Sequence, residues 1–178
     1  MTIRPAVFFD RDGVVNLCPG AGYVVDWESF HFSPGIFEAL LLCKTRGYAT
    51  VLVTSQQGVG KGLMSQGDLD DIHTRMQERL AENDCAFDGI YACTCLADDL
   101  TCTCRKPSPE MVHEAARDLH LDLVTSWLVG DADRDIEMAA NAGVNKTIRI
   151  ESKNPHHVTA THTLPDTRGL AELLSAVL

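Results

Sequence analysis

The stretch AVFFDRDG, residues 6–13, passes from an apolar run into an abrupt acidic turn. Short runs of aromatic and β-branched residues are typical of buried strands, and Arg-Asp-Gly is typical of the loop that ends one. The stretch therefore predicts a first strand with two carboxylates, Asp10 and Asp12, at its end. Because side chains alternate along an extended segment, these two carboxylates can face the same way.

The remainder of the chain repeats this pattern of a strand followed by a helix. The predicted strands are AVFFD (6–10), ATVLVT (49–54), FDGIYA (87–92), SWLVGD (126–131) and KTIRI (146–150). The predicted helices are one capped by Ser33 with Pro34 in its first position and closed by Gly47, one with Leu69, Ile72, Met76 and Leu80 on one face, one that begins at Ser108-Pro109, one that ends at about Ala142, and one over 169–177. This alternation predicts an α/β fold, a three-layer open parallel sheet with helices on both faces.

Composition narrows the class of protein. A length of 178 residues fits a single domain, 1–178, and 45% hydrophobic with 22% charged residues is typical of globular proteins. The formal net charge of -10 disfavours nucleic acid as a partner, because nucleic-acid-binding proteins neutralise phosphates with clustered Lys and Arg. No segment approaches the length of a membrane span. We expect a cytoplasmic protein with no membrane partner, and nothing in the pattern demands more than a monomer.

Polar side chains stand at the predicted carboxyl ends of the strands. They are Asp10 and Asp12, then Thr54, Ser55, Gln56 and Gln57, then Lys106, and finally Asp131 with Asp135. Ligands of open parallel sheets bind at this edge, and carboxylates brought together there repel one another unless a cation joins them. Oxygen ligands favour Mg²⁺, which commonly shares its coordination with phosphate. The pattern predicts a magnesium site that acts on a small phosphorylated metabolite.

Two Cys-x-Cys pairs precede the basic residues 105–106. Their members are Cys93, Cys95, Cys102 and Cys104. In a reducing cytosol such clustering favours metal or redox chemistry over structural disulfides. The three cysteines outside the cluster, Cys18, Cys43 and Cys85, are expected to be small buried hydrophobic residues.

Other motifs point less clearly to a function. The glycine-rich stretch 58–62 lacks the spacing of a P-loop or of a dinucleotide fingerprint, so a flexible turn and a loop that approaches phosphate both remain open. Six histidines lie on predicted helices or in the polar stretch 151–166, and we expect them to be solvated surface residues. They are His73, His113, His120, His156, His157 and His162.

Four segments together resemble the ordered motifs of the haloacid dehalogenase superfamily of phosphatases, in its histidinol-phosphatase-like branch. They are FFDRDGVVN (8–16), VLVTSQQGVGKG (51–62), CRKPSPEM (104–111) and LVGDADRDIEMAANAGV (128–144). The resemblance extends from about Val7 to Ile150. Within the branch the chain is most similar to the phosphatases of heptose bisphosphate, which remove the 7-phosphate, and the histidinol phosphate phosphatases are the second possibility.

The resemblance implies a role for each strand-end residue. Asp10 is the implied nucleophile that forms an aspartyl phosphate, and Asp12 is the implied acid and base, which starts protonated and which neighbouring carboxylates are expected to keep so. The implied Mg²⁺ ligands are the side chains of Asp10 and Asp131 and the backbone of Asp12. Asp135 is implied to orient the site without binding the metal itself. Contacts to the substrate are implied for Thr54, Ser55, Gln56, Gln57, Arg105 and Lys106, with Thr54 and Lys106 catalytic.

The resemblance also implies a compact site without a large cap domain, so that loops set the specificity. The loop 93–104 is implied to hold structural Zn²⁺ through its four cysteines, because a tetrahedral site with four thiolates has no open position for catalysis. Three departures stand out: Cys95 where the family often has histidine, Ser55 where asparagine is usual, and Ala132 where the heptose enzymes often have lysine.

Two other classes of protein remain to be weighed. A receiver-like signalling module accepts a phosphoryl group on an aspartate at a strand end, but it needs neither Asp12 as an acid nor a clamped loop. A zinc-dependent interaction module without activity would be indifferent to Asp10→Asn. The intact Asp-x-Asp pair argues against the second of these.

Overall fold

The computed structural model describes residues 3–20, 22–153 and 156–178, and six parallel strands form the sheet at the centre of this part. The strands are β1 (Ala6–Phe9), β2 (Ala49–Ser55), β3 (Gly89–Cys93), β4 (Trp127–Gly130), β5 (Lys146–Ile150) and β6 (His162–Leu164). They lie in the order β3-β2-β1-β4-β5-β6, and all neighbours pair in parallel. The predicted open parallel sheet is confirmed.

Helices connect the strands and cover both faces of the sheet. They are α1 (Ile36–Thr45), α2 (Gln57–Gly60), α3 (Gln66–Ala81), α4 (Glu110–Leu119), α5 (Asp133–Ala142) and α6 (Leu170–Val177), with a 3₁₀ turn over Thr167–Gly169. A capping box begins α3, where the Ser65 hydroxyl accepts from the Asp68 amide and the Asp68 carboxylate accepts from the Ser65 amide. In the described part of the chain, no helix is both long and apolar enough to cross a bilayer.

The central strand β1 is buried on both faces. Val7 and Phe9 join the core that contains α1, α3 and α6, whereas Ala6 and Phe8 join the core under α4 and α5. All four side chains have no exposed surface. This explains why β1 is continuously apolar instead of alternating. Truncation of a fully buried Phe such as Phe8 would cost about 3–5 kcal/mol of stability.

Two elements differ from the sequence-based expectation. Helix α1 begins at Ile36, behind Gly35, and not at Pro34. The direct reason is the left-handed backbone of Gly35, whose φ of 80° separates Pro34 from the helix. A tertiary contact accompanies this conformation, since the Pro34 carbonyl accepts a hydrogen bond from the Thr167 hydroxyl at 2.7 Å. Strand β6 was not predicted, because it has only three residues, two of them polar and none of them fully buried. The strand forms by pairing with β5.

An aromatic cluster fixes the connection between β1 and α1. Trp27 stacks on Phe30 with ring centroids 5.2 Å apart, and Phe32 packs edge-to-face on Phe30 at 5.0 Å and on Phe37 of α1 at 4.7 Å. Such pairs add to the stability of burial alone. The loop behind the acidic turn is therefore anchored to the body of the fold.

Candidate active site

Two aspartates follow β1 at the carboxyl edge of the sheet. Asp10 is buried, and its backbone amide donates to the Val129 carbonyl of β4 at 2.9 Å, which fixes it between two central strands. Gly13 then turns the chain with φ of 92°, and a Cβ atom there would lie 2.5 Å from Oδ2 of Asp131. Because glycine alone tolerates this approach, the turn brings the β1 loop directly against the β4 loop.

Lys106 lies between two carboxylates in the interior. Its Nζ is 2.7 Å from Oδ1 of Asp10 and 2.7 Å from Oδ1 of Asp135, and its side chain is 1% exposed. Burial disfavours the charged ammonium group, but the two carboxylates outweigh this effect and raise the pKa of Lys106. The predicted lysine is therefore a cation placed beside Asp10.

Asp10, Asp131 and Asp135 offer carboxylate oxygens that lie within 4.8 Å of one another. Both oxygens of Asp135 are engaged, Oδ1 by Lys106 and Oδ2 by the Ala132 amide at 3.1 Å. Oδ1 of Asp131, in contrast, is buried and has no hydrogen-bond partner among the described residues. A buried carboxylate oxygen without a partner, next to a second acid, fits a hard divalent cation.

The raised pKa values of two carboxyls in the cluster also fit a cation-binding site. Burial raises the pKa of Asp131 to about 7, and the negative charges of Asp10 and Asp135 add to the effect. Burial likewise raises the pKa of Asp10 to about 6, against the opposing influence of Lys106. Arg134 and Lys106 oppose this effect on Asp131 without cancelling it, so a divalent cation beside Asp131 would stabilise the ionised forms of the carboxylates.

Asp12 is held by three neighbouring side chains. Arg11 Nη2 donates to its Oδ1 at 3.0 Å, Asn16 Nδ2 to Oδ1 at 3.0 Å, and Gln56 Nε2 to Oδ2 at 3.0 Å. Burial acts to raise the pKa of Asp12, but Arg11, Asn16 and Gln56 together outweigh it and lower that pKa. The expectation that neighbouring carboxylates keep Asp12 protonated is wrong for this arrangement, because the guanidinium of Arg11 contacts it directly.

Arg11 itself was not predicted as a site residue, yet it is fully buried. Its Nη1 lies 3.5 Å from Nε2 of His73, which is 9% exposed and not the solvated surface residue that we expected. Burial, with the nearby charge of Arg11, lowers the pKa of His73 to about 4, so the ring is neutral and can accept. The sequence signal that could have identified Arg11 is its position between two aspartates directly behind a buried strand.

The end of β2 brings Thr54 to the same cluster. Its Oγ1 lies 2.8 Å from Nε2 of Gln56, the same nitrogen that donates to Asp12. The resemblance implies a substrate contact for Gln56, and the structure places this residue in the interior, 2% exposed, next to Thr54, which is 1% exposed. Ser55 follows Thr54, and its hydroxyl is buried with no partner in the described part of the chain.

The four clustered cysteines come together after β3. The sulfur atoms of Cys93, Cys95, Cys102 and Cys104 all lie within 4.8 Å of one another. All seven cysteines of the chain are free thiols. A tetrahedral Zn²⁺ site with bonds of about 2.3 Å separates its sulfurs by about 3.8 Å. The Cys93–Cys102, Cys102–Cys104 and Cys95–Cys104 separations of 3.5, 3.7 and 3.9 Å match this value, whereas Cys93–Cys104 is shorter at 2.7 Å. The donor set fits zinc.

The three cysteines outside the loop differ in burial. Cys43 and Cys85 are buried, as expected, but Cys18 is exposed. Cys18 lies in the loop after the acidic turn, where it lines the cavity beside Asp131. The expectation of burial is therefore wrong for Cys18.

The cysteine loop packs against the short helix α2. A Cβ atom on Gly60 would lie 2.5 Å from the Thr94 carbonyl, so only glycine permits this contact. Arg105 donates to the Cys95 carbonyl at 3.2 Å and to Oε1 of Gln57 at 3.3 Å. The glycine-rich stretch is thus part of a short helix that Arg105 ties to the loop.

A cavity of about 700 Å³ opens beside Asp131. Leu17, Pro34 and Ile150 form part of its wall, and Lys153 also lines it. Arg134, in the first turn of α5, is attracted by the negative charges of the site. Burial acts to lower the pKa of Arg134, but the carboxylates outweigh burial and raise that pKa, with Asp135 contributing most. No sequence pattern identified Arg134 as a site residue.

Comparison with known proteins agrees with this geometry. A family model described as "HAD-hyrolase-like" matches residues 103–161. The chain is 39% identical to D-glycero-beta-D-manno-heptose-1,7-bisphosphate 7-phosphatase from Vibrio cholerae, covering 85% of this chain and 84% of that protein. It is 35% identical to the protein of the same name from Photorhabdus laumondii, covering 88% and 85%.

A solved structure is similar over nearly the whole chain. It is the crystal structure of D,D-heptose 1,7-bisphosphate phosphatase from B. bronchiseptica, described as complexed with magnesium and phosphate. The TM-score is 0.84 at 31% identity, and the match covers 97% of this chain and 98% of that one. The similarity therefore covers all the strands whose carboxyl ends carry the site residues.

Proposed function

The chain belongs to the haloacid dehalogenase-like phosphatases, and we propose that it is a Mg²⁺-dependent phosphomonoesterase that works through a phosphorylated Asp10. The convergence of Asp10, Lys106 and Asp131 carries this proposal, with Thr54 joined to them through Gln56 and Asp12. Phosphoryl transfer requires a positioned nucleophile and neutralisation of the charge on the phosphoryl oxygens. The cluster offers both at one edge of the sheet.

The side chains of Asp10 and Asp131 and the backbone carbonyl of Asp12 would hold Mg²⁺. When bound, the ion supplies charge neutralisation at the phosphoryl group. The unpartnered Oδ1 of Asp131 supports this ligand set. The similar structure from B. bronchiseptica, described as complexed with magnesium and phosphate, supports magnesium as the ion. Asp135 stays outside the set because Lys106 and the Ala132 amide occupy its oxygens.

The reaction proceeds in two displacements at phosphorus. A carboxylate oxygen of Asp10 attacks, the bond from phosphorus to the leaving oxygen breaks, and that oxygen receives a proton from Asp12. Water then attacks the phosphorus of the aspartyl phosphate, transfers a proton to Asp12, and releases phosphate as Asp10 is regenerated. Lys106 contacts Asp10 throughout and offsets the negative charge that builds beside it.

The surroundings of Asp12 favour the second half of this cycle. Arg11 and two amide groups lower the pKa of Asp12, which favours the ionised form that a base requires. The first half needs the protonated form. A bound phosphoryl group brings negative charge next to Asp12, which raises the pKa of that carboxyl toward the value an acid requires.

We propose that the substrate is a sugar bisphosphate, D-glycero-D-manno-heptose 1,7-bisphosphate, which loses its 7-phosphate. The names of the relatives from Vibrio cholerae and Photorhabdus laumondii support this choice. Thr54 and the Ser55 amide would bind the transferred phosphoryl group, while Arg105 and Gln57 would contact the remainder of the substrate. Ser55 and Ala132, which depart from the usual residues of the heptose enzymes, are the positions where the specificity is most open to change.

We further propose that the cysteine loop holds structural zinc and that the enzyme acts as a cytoplasmic monomer, one domain over residues 1–178, without nucleic-acid or membrane partners. The sulfur separations support zinc. A reducing compartment would keep the four thiols available to the metal. The net charge of -10 supports a small metabolite as the ligand in preference to a nucleic acid.

A comparison of rates tests the proposal. The purified protein is given Mg²⁺ and either heptose 1,7-bisphosphate or histidinol phosphate, with Asp10→Asn as the control, and released phosphate is measured. We expect kcat/KM to favour the heptose substrate by about tenfold or more. A preference for histidinol phosphate would replace the substrate assignment. No release from either, with an aspartyl phosphate that lasts for minutes, would instead support a receiver-like module.

A further inference from the structure

The side-chain amide of Gln56 links the group that contacts phosphate to the group that handles protons. Its Nε2 lies 2.8 Å from Oγ1 of Thr54 and 3.0 Å from Oδ2 of Asp12. Gln56 stands between β2 and α2 and is 2% exposed. A primary amide nitrogen carries two hydrogens, so these two contacts use both.

Chemistry fixes which way this amide points. The nitrogen of the Gln56 amide, and not its oxygen, lies next to Oδ2 of Asp12, and the same oxygen also accepts from Nη2 of Arg11 at 3.2 Å, a group that can only donate. The same nitrogen is the atom next to Thr54. The hydroxyl of Thr54 therefore accepts from Gln56, and its single hydrogen is left to donate elsewhere.

A phosphoryl group in its dianionic form presents only acceptor oxygens. Because the Thr54 oxygen accepts a hydrogen bond from Gln56 on one side, its hydrogen points to the other side and can donate to phosphate without rotation of the hydroxyl. Preorganised donors of this kind are a large source of transition-state stabilisation in enzymes. Arg11 and Asn16 hold the same carboxylate from other directions, so the Asp12 end of the amide is fixed as well.

We infer that Gln56 is a positioning residue that aims the hydroxyl hydrogen of Thr54 at the phosphoryl group while it holds the carboxylate of Asp12. The inference rests on the proposed function, since it presupposes that Thr54 contacts phosphate. In this role Gln56 acts through Thr54 and Asp12 instead of contacting the phosphoryl group or the sugar itself. Its role differs from the substrate contact that the sequence predicts.

A double-mutant cycle of Gln56→Met and Thr54→Val tests the coupling. The readouts are the Kd for inorganic phosphate, measured by calorimetry in Mg²⁺, and kcat/KM for p-nitrophenyl phosphate. With Thr54 present, Gln56→Met should weaken phosphate binding on the order of tenfold and lower kcat/KM by about 10- to 100-fold. In the Thr54→Val background, Gln56→Met should change the phosphate Kd by less than about twofold.

Three further variants separate positioning from general loosening. Thr54→Ser keeps the hydroxyl, so the sensitivity to Gln56→Met should return. Gln77→Met removes an amide that bonds the Phe87 backbone away from the site and should leave phosphate binding unchanged. If Gln56→Met does not fold, Gln56→Asn takes its place, because the shorter amide is polar but does not span both partners.

An equal loss of phosphate affinity in the Thr54 and Thr54→Val backgrounds would overturn the inference. So would a loss in Gln77→Met that matches that of Gln56→Met, or no loss in Gln56→Met at all. Failure of the proposed function gives a different pattern, because the unmodified protein would then hydrolyse no p-nitrophenyl phosphate.

Discussion

The carboxylate–lysine cluster and the cysteine loop are two groups of charged or ionisable side chains that the chain builds in opposite ways. Lys106 meets Asp10 across 96 positions and Asp135 across 29, and these two partners stand directly behind β1 and in α5. The four cysteines lie within residues 93–104, three of them only partly buried. The first cluster is positioned by the hydrophobic core, whereas the second depends on its own ligands and on the metal they fit. The partners of Lys106 are therefore positioned by the core, whereas Lys106 itself follows Cys104 by two residues and joins the two regions.

The largest effect in this comparison is expected from Asp10→Asn. A carboxamide is a poor nucleophile, so phosphate release should fall on the order of 10⁴-fold or more. The core that positions residue 10 is unaffected, and the circular dichroism spectrum and zinc content should match those of the unmodified protein. Residual activity within tenfold of the original would mean that Asp10 is not the nucleophile.

Lys106→Met tests how far the buried cluster depends on its one ammonium group. Two carboxylates lose their partner, and the free energy of unfolding should fall by about 3 kcal/mol, with a loss of activity on the order of 10³-fold. Lys44→Met is the matched control, because Lys44 pairs with the partly exposed Asp88 at 3.4 Å. It should cost at most about 1 kcal/mol. Urea unfolding of both variants decides the point, and equal losses would contradict the proposed importance of burial.

Cys102→Ser should affect the loop and leave the sheet intact. Loss of one thiolate should reduce bound zinc from about one per chain to near zero, with activity lowered about tenfold through the position of Arg105. Metal analysis and hydrogen exchange should locate the change in residues 93–104, with β1 still protected. Cys18→Ser, at an exposed cysteine outside the loop, is the control and should retain its zinc. Zinc retained in Cys102→Ser would refute the four-cysteine site.

The contrast between regions also explains what sequence alone could predict. Runs such as β1 and β2 are buried on both faces, so their composition reveals them, and the residues behind them necessarily gather at one edge. Strand β6 depends on a tertiary partner, β5, and the start of α1 is accompanied by a contact with Thr167, neither of which a local pattern encodes. These elements could not be read from their own residues.

Within the site, residue types were predictable but their ionisation was not. Asp10, Lys106 and Asp131 follow from strand ends. The burial of Arg11 and His73 depends on how α3 packs over the acidic turn, which sequence spacing does not reveal. Because Arg11 turned out to contact Asp12, the pKa of that carboxyl is shifted in the direction opposite to the one that we expected.

The smallest expected effect comes from Asp88, a carboxylate away from the site whose pKa moves the other way from those of Asp10 and Asp131. Burial acts to raise the pKa of Asp88, but the Thr50 amide at 2.8 Å, Lys44 and Arg4 outweigh it and lower that pKa. A lowered pKa means that the stabilisation is fully present above about pH 4 and is lost as the pH falls through the folded-state value. Asp88→Asn should therefore cost about 1 kcal/mol near pH 7 and less near pH 3, because the carboxyl of the unfolded chain is then largely protonated and part of the stabilisation that comes from its charge is lost. Urea unfolding at the two pH values measures the difference, and a gap that widens on acidification would show that the cations do not stabilise Asp88 as the geometry indicates.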